Sequence, residues 1–155
     1  MRYSAGVLVY RRRPEIEVLL GHMGGPLWAR KDDGAWSIPK GEYEPDEEQP
    51  RAAAAREFTE ELGLPVPAGE WVPLGEVRYS SGRKQVVVWA VEGDLDTARV
   101  VPGTFEMEWP PRSGRLQQFP EIDRAEWFDP ETARAKLSAG QRPLIDRLVA
   151  ALSAD

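Results

Sequence analysis

The 155-residue sequence predicts a mixed α/β sandwich in which helices cover a sheet. Three observations carry that expectation. Short β-branched runs recur between Ser4 and Phe128, an alanine-rich stretch around Ala52 to Ala55 interrupts them, and the chain closes on an amphipathic segment. Length favours one domain over 1–155, and 41% hydrophobic with 30% charged residues is an ordinary globular balance. Fourteen Gly and fourteen Pro add long shaped loops around the core.

Ser4 to Tyr10 and Ile16 to Gly21 read as strands joined by a turn at Arg11-Arg12-Arg13-Pro14-Glu15. His22 to Ala35 is a Gly-rich loop, and Trp36 to Pro39 is extended because proline disfavours helix at the residue before it. A helix is expected from about Glu48 to Leu62, with an acidic first turn and with Gly63 and Pro65 as stop signals. Val72 to Tyr79 and Lys84 to Val91 form a hairpin around Ser80-Ser81-Gly82-Arg83. Thr104 to Trp109 is a further strand, Pro110 to Gly114 a loop, and Ala125 to Phe128 the last strand. Asp129-Pro130-Glu131 has the cap and first-turn proline of a helix start. From Arg142 to Leu152, the residues Leu144, Ile145, Leu148, Val149 and Leu152 share one face, so this helix packs on the sheet.

A net charge of -6 argues against a broad nucleic-acid surface, and Arg11-Arg12-Arg13 and Arg112 with Arg115 are too few to reverse that. The absence of cysteine excludes disulfides, thiolate metal sites and a Cys nucleophile, and the single His22 excludes a multi-His zinc site. His22 ends a strand and is expected to be structural or solvent-facing. No run approaches a membrane span, and the apolar stretch before Arg11 is too short for a signal peptide. A soluble cytoplasmic protein is expected.

The densest chemical signal is Arg56-Glu57-Phe58-Thr59-Glu60-Glu61-Leu62-Gly63-Leu64. On a helix, Glu57, Glu60 and Glu61 fall in one arc, while Ala54, Ala55, Phe58 and Leu62 occupy an adjacent one. Carboxylates at i, i+3 and i+4 repel by about a few tenths of a kcal/mol per exposed pair unless cations compensate. Hard cations such as Mg²⁺ or Mn²⁺ take oxygen ligands and keep waters for substrate phosphates. A solvated acidic face steadied by Arg56 and Glu60 is the plain reading of an isolated glutamate pair, but the residues upstream reverse it.

Trp36-Ser37-Ile38-Pro39-Lys40-Gly41 leads through a glycine loop into this helix. Gly41, Glu47 or Glu48, Arg56-Glu57-Phe58, Glu60-Glu61, Gly63 and Leu64 together resemble the Nudix box of Nudix hydrolases, and every fixed position from Arg56 onward is met. The front half holds one extra residue. With Glu47 in the box, eight residues rather than seven precede Arg56; with Glu48, six rather than five follow Gly41.

The resemblance implies a Nudix-like α/β/α sandwich with a mixed central sheet. It also implies a pyrophosphohydrolase that uses Mg²⁺ or Mn²⁺ and water to cleave a phosphoanhydride in a nucleotide built on a nucleoside diphosphate. Glu57, Glu60 and Glu61 are then the metal ligands, with one of them a candidate base. Arg56 orients them, and the backbone carbonyl of Lys40 or Gly41 completes a metal shell. Lys40 is a candidate phosphate contact. Pro39-Lys40-Gly41 is similar to diadenosine and inositol polyphosphate members, and Tyr79 lies about where dinucleoside polyphosphate hydrolases of this family carry a tyrosine. Trp28, Trp36 and Tyr79 are candidate stacking surfaces for a base. Glu106 and Glu108 are candidates to overhang the site. Nucleoside triphosphates or nucleotide sugars are the alternative substrates, and a nucleotide-binding module without turnover is the alternative class, which the complete glutamate set opposes.

Overall fold

The computed structural model describes residues 1–79 and 82–153. In chain order its elements are β1 (Arg2–Arg12), β2 (Ile16–Met23), β3 (Trp36–Ser37), β4 (Lys40–Glu42), α1 (Pro50–Leu62), β5 (Trp71–Arg78), β6 (Lys84–Glu92), β7 (Thr104–Glu108), β8 (Leu116–Pro120), β9 (Ile122–Phe128), α2 (Pro130–Lys136) and α3 (Pro143–Ser153). The main sheet runs β3-β2-β1-β6-β5, with β4 also on β1 and β9 also on β2. It is mixed: β1 and β6 are parallel, with Val7 opposite Trp89, and the remaining pairs are antiparallel.

Strand β1 is buried continuously from Ser4 to Tyr10, as a strand with both faces covered must be. Its side chains alternate between two cores. Leu8 and Tyr10 join Val86, Val88 and the apolar face of α3. Ala5, Val7 and Val9 join Ala53, Ala54, Phe58 and Leu62 of α1. The sandwich is therefore α1, sheet, then α2 with α3. On α3, Leu144, Ile145 and Leu148 are fully buried, as the apolar periodicity requires, and Leu152 packs at the margin.

Several elements depart from the sequence expectation for physical reasons. Helix α1 begins at Pro50 and has no acidic residue in its first turn. Proline suits the first helical position but excludes helix just before it, so Glu47 and Glu48 lie in a turn ahead of α1. Ala53 takes the buried place expected of Ala55. The basic run is not all turn. Arg11 and Arg12 continue β1, and Arg11 bonds Glu17 and Asp94 while its guanidinium lies 4.1 Å from the Trp127 ring centroid. The hairpin residues Ser80 and Ser81 lie outside the described residues. Strand β8 is not foreseen because Leu116-Gln117-Gln118-Phe119-Pro120 lacks both alternation and β-branching. Among the described residues it pairs only with β7, making a separate arm.

A single edge of β1 is shared, with Tyr10 to Arg12 pairing β2 and Ser4 to Gly6 pairing β4. From Val18 onward β2 carries β9 on its other edge, and beyond the β1 pairs its Gly21 and His22 meet β3. The cleft of the candidate site lies where these strands diverge.

Candidate active site

Helix α1 points Phe58 into the core, sets Glu57 and Glu61 against the start of β4, and brings Glu60 to one pocket with them. Gly41 is what allows this approach, since a Cβ there would coincide with the Glu57 carboxylate. The Lys40 N–H donates to Glu61 Oε2 at 3.2 Å, tying the glycine loop to the helix a second time. Glu57, Glu60 and Glu61 face a pocket of about 300 Å³ together with Gly103, Thr104 and Glu121.

Arg56 holds the near side of this group. Its Nε and one terminal nitrogen donate to both oxygens of Glu48 at 2.9 Å each, and its other terminal nitrogen meets Glu57 at 2.8 Å and Glu60 at 3.1 Å. A planar guanidinium is suited to such a fork. Glu48 is therefore the glutamate that meets Arg56, and the extra residue of the motif sits in the turn between Gly41 and Glu48. The hydrogen bond from Arg56 holds the Glu48 carboxyl below the usual range. Burial pushes Glu57 up, against the pull of Arg56. Burial pushes Glu61 further, to about 8, although the Lys40 ammonium and N–H oppose it.

A buried carboxylate held this way lacks a full positive partner, and a divalent cation supplies one. The donor set of Glu57, Glu60 and Glu61 with nearby Glu121 is all oxygen, which fits Mg²⁺ or Mn²⁺. Among the described residues, no three Asp, Glu or His side chains are already gathered at metal-holding spacing. Arg56 spans Glu57 and Glu60 instead.

A second cleft of about 350 Å³ adjoins the carboxylates, and Lys40, Glu61 and Glu121 line it with Ser37, Trp28 and Phe105. Lys40 and Trp28 are thus brought to one cavity with Glu61. Trp36 is not. It is almost fully buried, its Nε1 donates to Asp32 at 2.8 Å, and its ring packs edge-on with His22 and Phe128, so no base can stack on it. His22 is structural and not solvent-facing: its ring nitrogens meet Asp123 at 2.9 Å and the Lys31 carbonyl at 2.6 Å, and the side chain has no exposure.

Tyr79 lies behind the cleft wall. Its ring packs on Gly140 and the core, and its hydroxyl accepts from Gln141 Nε2 at 3.2 Å. The same amide donates to Ser37 Oγ at 2.9 Å and accepts from the Ile38 N–H at 3.0 Å. Lys84 lies beside Lys40 with its ammonium 5.1 Å from the Tyr79 ring centroid, and burial with the like charge of Lys40 lowers its pKa. Glu106 borders an apolar slot beyond Phe105, and Glu108 accepts from the Gly114 N–H within the arm.

Sequence reasoning misses Glu121, Lys84 and Gln141. Glu121 reaches the carboxylates because its N–H donates to the Gly103 carbonyl and its carbonyl accepts from the Gly24 N–H. No spacing relates it to α1. Lys84 is an ordinary strand lysine until β1 and β4 pair, and Gln141 lies in a short turn with no periodicity.

A family model described as NUDIX domain matches residues 1–148. No curated protein sequence matches the chain. Among solved structures, a C. elegans Ap4A hydrolase in a binary complex is 21% identical with TM-score 0.69 and covers 100% of both chains. The E. coli ORF135 protein is 27% identical with TM-score 0.59, covering 99% of this chain and 94% of its own. The NUDIX domain of Shewanella oneidensis NrtR, complexed with ADP ribose, is 14% identical with TM-score 0.63, covering 97% of this chain and 87% of its own. The first and third likenesses concern the fold alone.

Proposed function

The chain belongs to the NUDIX domain family, whose members of this kind are pyrophosphohydrolases acting on phosphoanhydride bonds, and on that premise we propose that it cleaves a dinucleoside polyphosphate with a divalent cation. One observation carries the substrate reading. Lys40 shares a cleft with Glu61, and Lys84 stands beside Lys40, so a short tract of two cations adjoins the carboxylate helix. A long phosphate chain can meet that tract and the helix together, whereas a short one reaches less of it. The fold likeness to a C. elegans Ap4A hydrolase accords with this reading.

Glu57, Glu60 and Glu61 would hold the cation. When bound, it supplies charge neutralisation on the phosphate oxygens and a lower pKa for an attacking water. The chain's own residues do the rest. Arg56 keeps Glu48, Glu57 and Glu60 in register, and the Lys40 N–H orients Glu61. Glu121 faces both the carboxylate pocket and the cleft, the place from which a proton acceptor can serve a water attacking phosphorus. The Lys40 and Lys84 ammoniums bind the far phosphates.

The test is kcat/KM for diadenosine tetraphosphate, a nucleoside triphosphate and a nucleotide sugar, each with Mg²⁺. The dinucleotide should be the best, and Lys40→Ala should weaken it more than the triphosphate. A clear preference for the triphosphate or the sugar nucleotide would overturn the substrate reading.

A further inference from the structure

We propose that the apolar slot between the Gly24-to-Trp28 loop and β7 is the nucleobase site, an inference that rests on the nucleotide reading above. The slot measures about 330 Å³, and Gly24, Trp28 and Phe105 line both it and the cleft that holds Lys40 and Glu61. A ligand anchored by phosphate at Lys40 thus has an aromatic-walled space next to it. Pro26 and Met107 complete a surface suited to a flat ring.

The loop is shaped to the arm. A Cβ on Gly25 would stand 2.9 Å from Phe105 Cζ, and its φ of +90° already favours glycine. A Cβ on Gly24 would collide with the Pro120 carbonyl. Two adjacent glycines therefore let the loop backbone lie against β7 and β8, which fixes where Trp28 stands relative to Phe105.

The edge of β7 supplies the polar half of the site. The Gly103 carbonyl accepts from the Glu121 N–H and the Trp109 N–H donates to the Arg115 carbonyl, so the odd-numbered residues of this strand turn their backbone groups toward β8. Glu106 has the opposite parity. Its N–H and C=O point to the other edge, and Glu106 borders the slot. One residue thereby offers a donor and an acceptor side by side, matching the adjacent donor and acceptor on the edge of a purine. A bare phosphate chain or a sugar offers no flat aromatic ring to the aromatic walls.

The experiment is calorimetric binding, with Mg²⁺, of α,β-methylene ATP and separately of inorganic tripolyphosphate. The proteins compared are the wild type, Phe105→Ala and Met107→Trp, the latter filling the slot without removing packing from the arm. Both variants should weaken the nucleotide about tenfold or more while changing tripolyphosphate less than about twofold. Parallel weakening of both ligands, no change in either, or a wild type that prefers tripolyphosphate overturns the slot. Turnover is read separately: nucleotide binding that depends on the slot without Mg²⁺-dependent hydrolysis supports the slot and overturns the hydrolase reading.

Discussion

Helix α1 and helix α3 cover opposite faces of one sheet, yet they follow different rules. On α3, the apolar residues Leu144, Ile145 and Leu148 face the core, and polar residues face away. Its one carboxylate, Asp146, is paired with Arg134 at 2.7 Å. On α1, Phe58 and Leu62 anchor the helix just as firmly, but beside them three glutamates share one pocket, with Arg56 pairing Glu57 and Glu60 and Lys40 facing Glu61. Burial raises the pKa of Glu57 and Glu61, so ionising these two carboxyls works against the folded state. The difference teaches that the helix breaking the local electrostatic rule is the one proposed above to hold a cation.

The sharpest way to break this comparison is to exchange activity and stability between the two helices. Glu60→Gln or Glu61→Gln should lower kcat by about a hundredfold or more while leaving the melting temperature unchanged or higher. Leu148→Ala should do the reverse, costing about 2 to 5 kcal/mol in denaturant unfolding with kcat retained well below the melting point. Within α1 itself, Phe58→Ala should cost about 3 to 5 kcal/mol, because the ring has no exposure, whereas the exposed Thr59→Ala should be mild. Equal losses at these two neighbours would show that the helix is rotated from the face described.

A third prediction concerns pH. Without a bound cation, the folded protein holds the Glu61 proton up to about 8, above the ordinary value of 4.5, so the contribution of this group is fully present below 4.5 and is lost as pH rises through 8. A cation requires the ionised form and relieves that loss. Mg²⁺ should therefore raise the melting temperature more at pH 8.5 than at pH 6.5, and Glu61→Gln should flatten the difference. The smallest effect is expected from Gln141, whose buried amide ties Tyr79 to Ser37 and Ile38. Gln141→Met should cost about 1 to 3 kcal/mol and raise KM more than it lowers kcat, since it loosens the segment that carries Lys40.

The helical half of the site is legible in the amino-acid sequence because its residues lie on one turn. Glu57, Glu60 and Glu61 need only the helical period to meet, and Gly63 marks the stop. The main strands are legible for a similar reason, since the β-branched runs of β1 and β6 are local signals. The rest depends on contacts between segments far apart in the chain. Glu121 joins the site through backbone bonds to Gly103 and Gly24, and Lys84 meets Lys40 only after β1 has paired with both β4 and β6. Trp36 is misjudged from sequence because aromatic identity alone does not distinguish a stacking wall from a core residue. Its neighbours His22, Asp32 and Phe128 decide that, and only His22 stands out in the sequence.

The most direct test of the central claim, that the α1 carboxylates form a cation site, is Mn²⁺ binding followed by electron paramagnetic resonance at pH 8. The wild type should bind the ion, and the double variant Glu60→Gln with Glu61→Gln should weaken binding about tenfold or more while keeping the native circular dichroism spectrum. Unchanged Mn²⁺ affinity in a folded double variant would contradict the account.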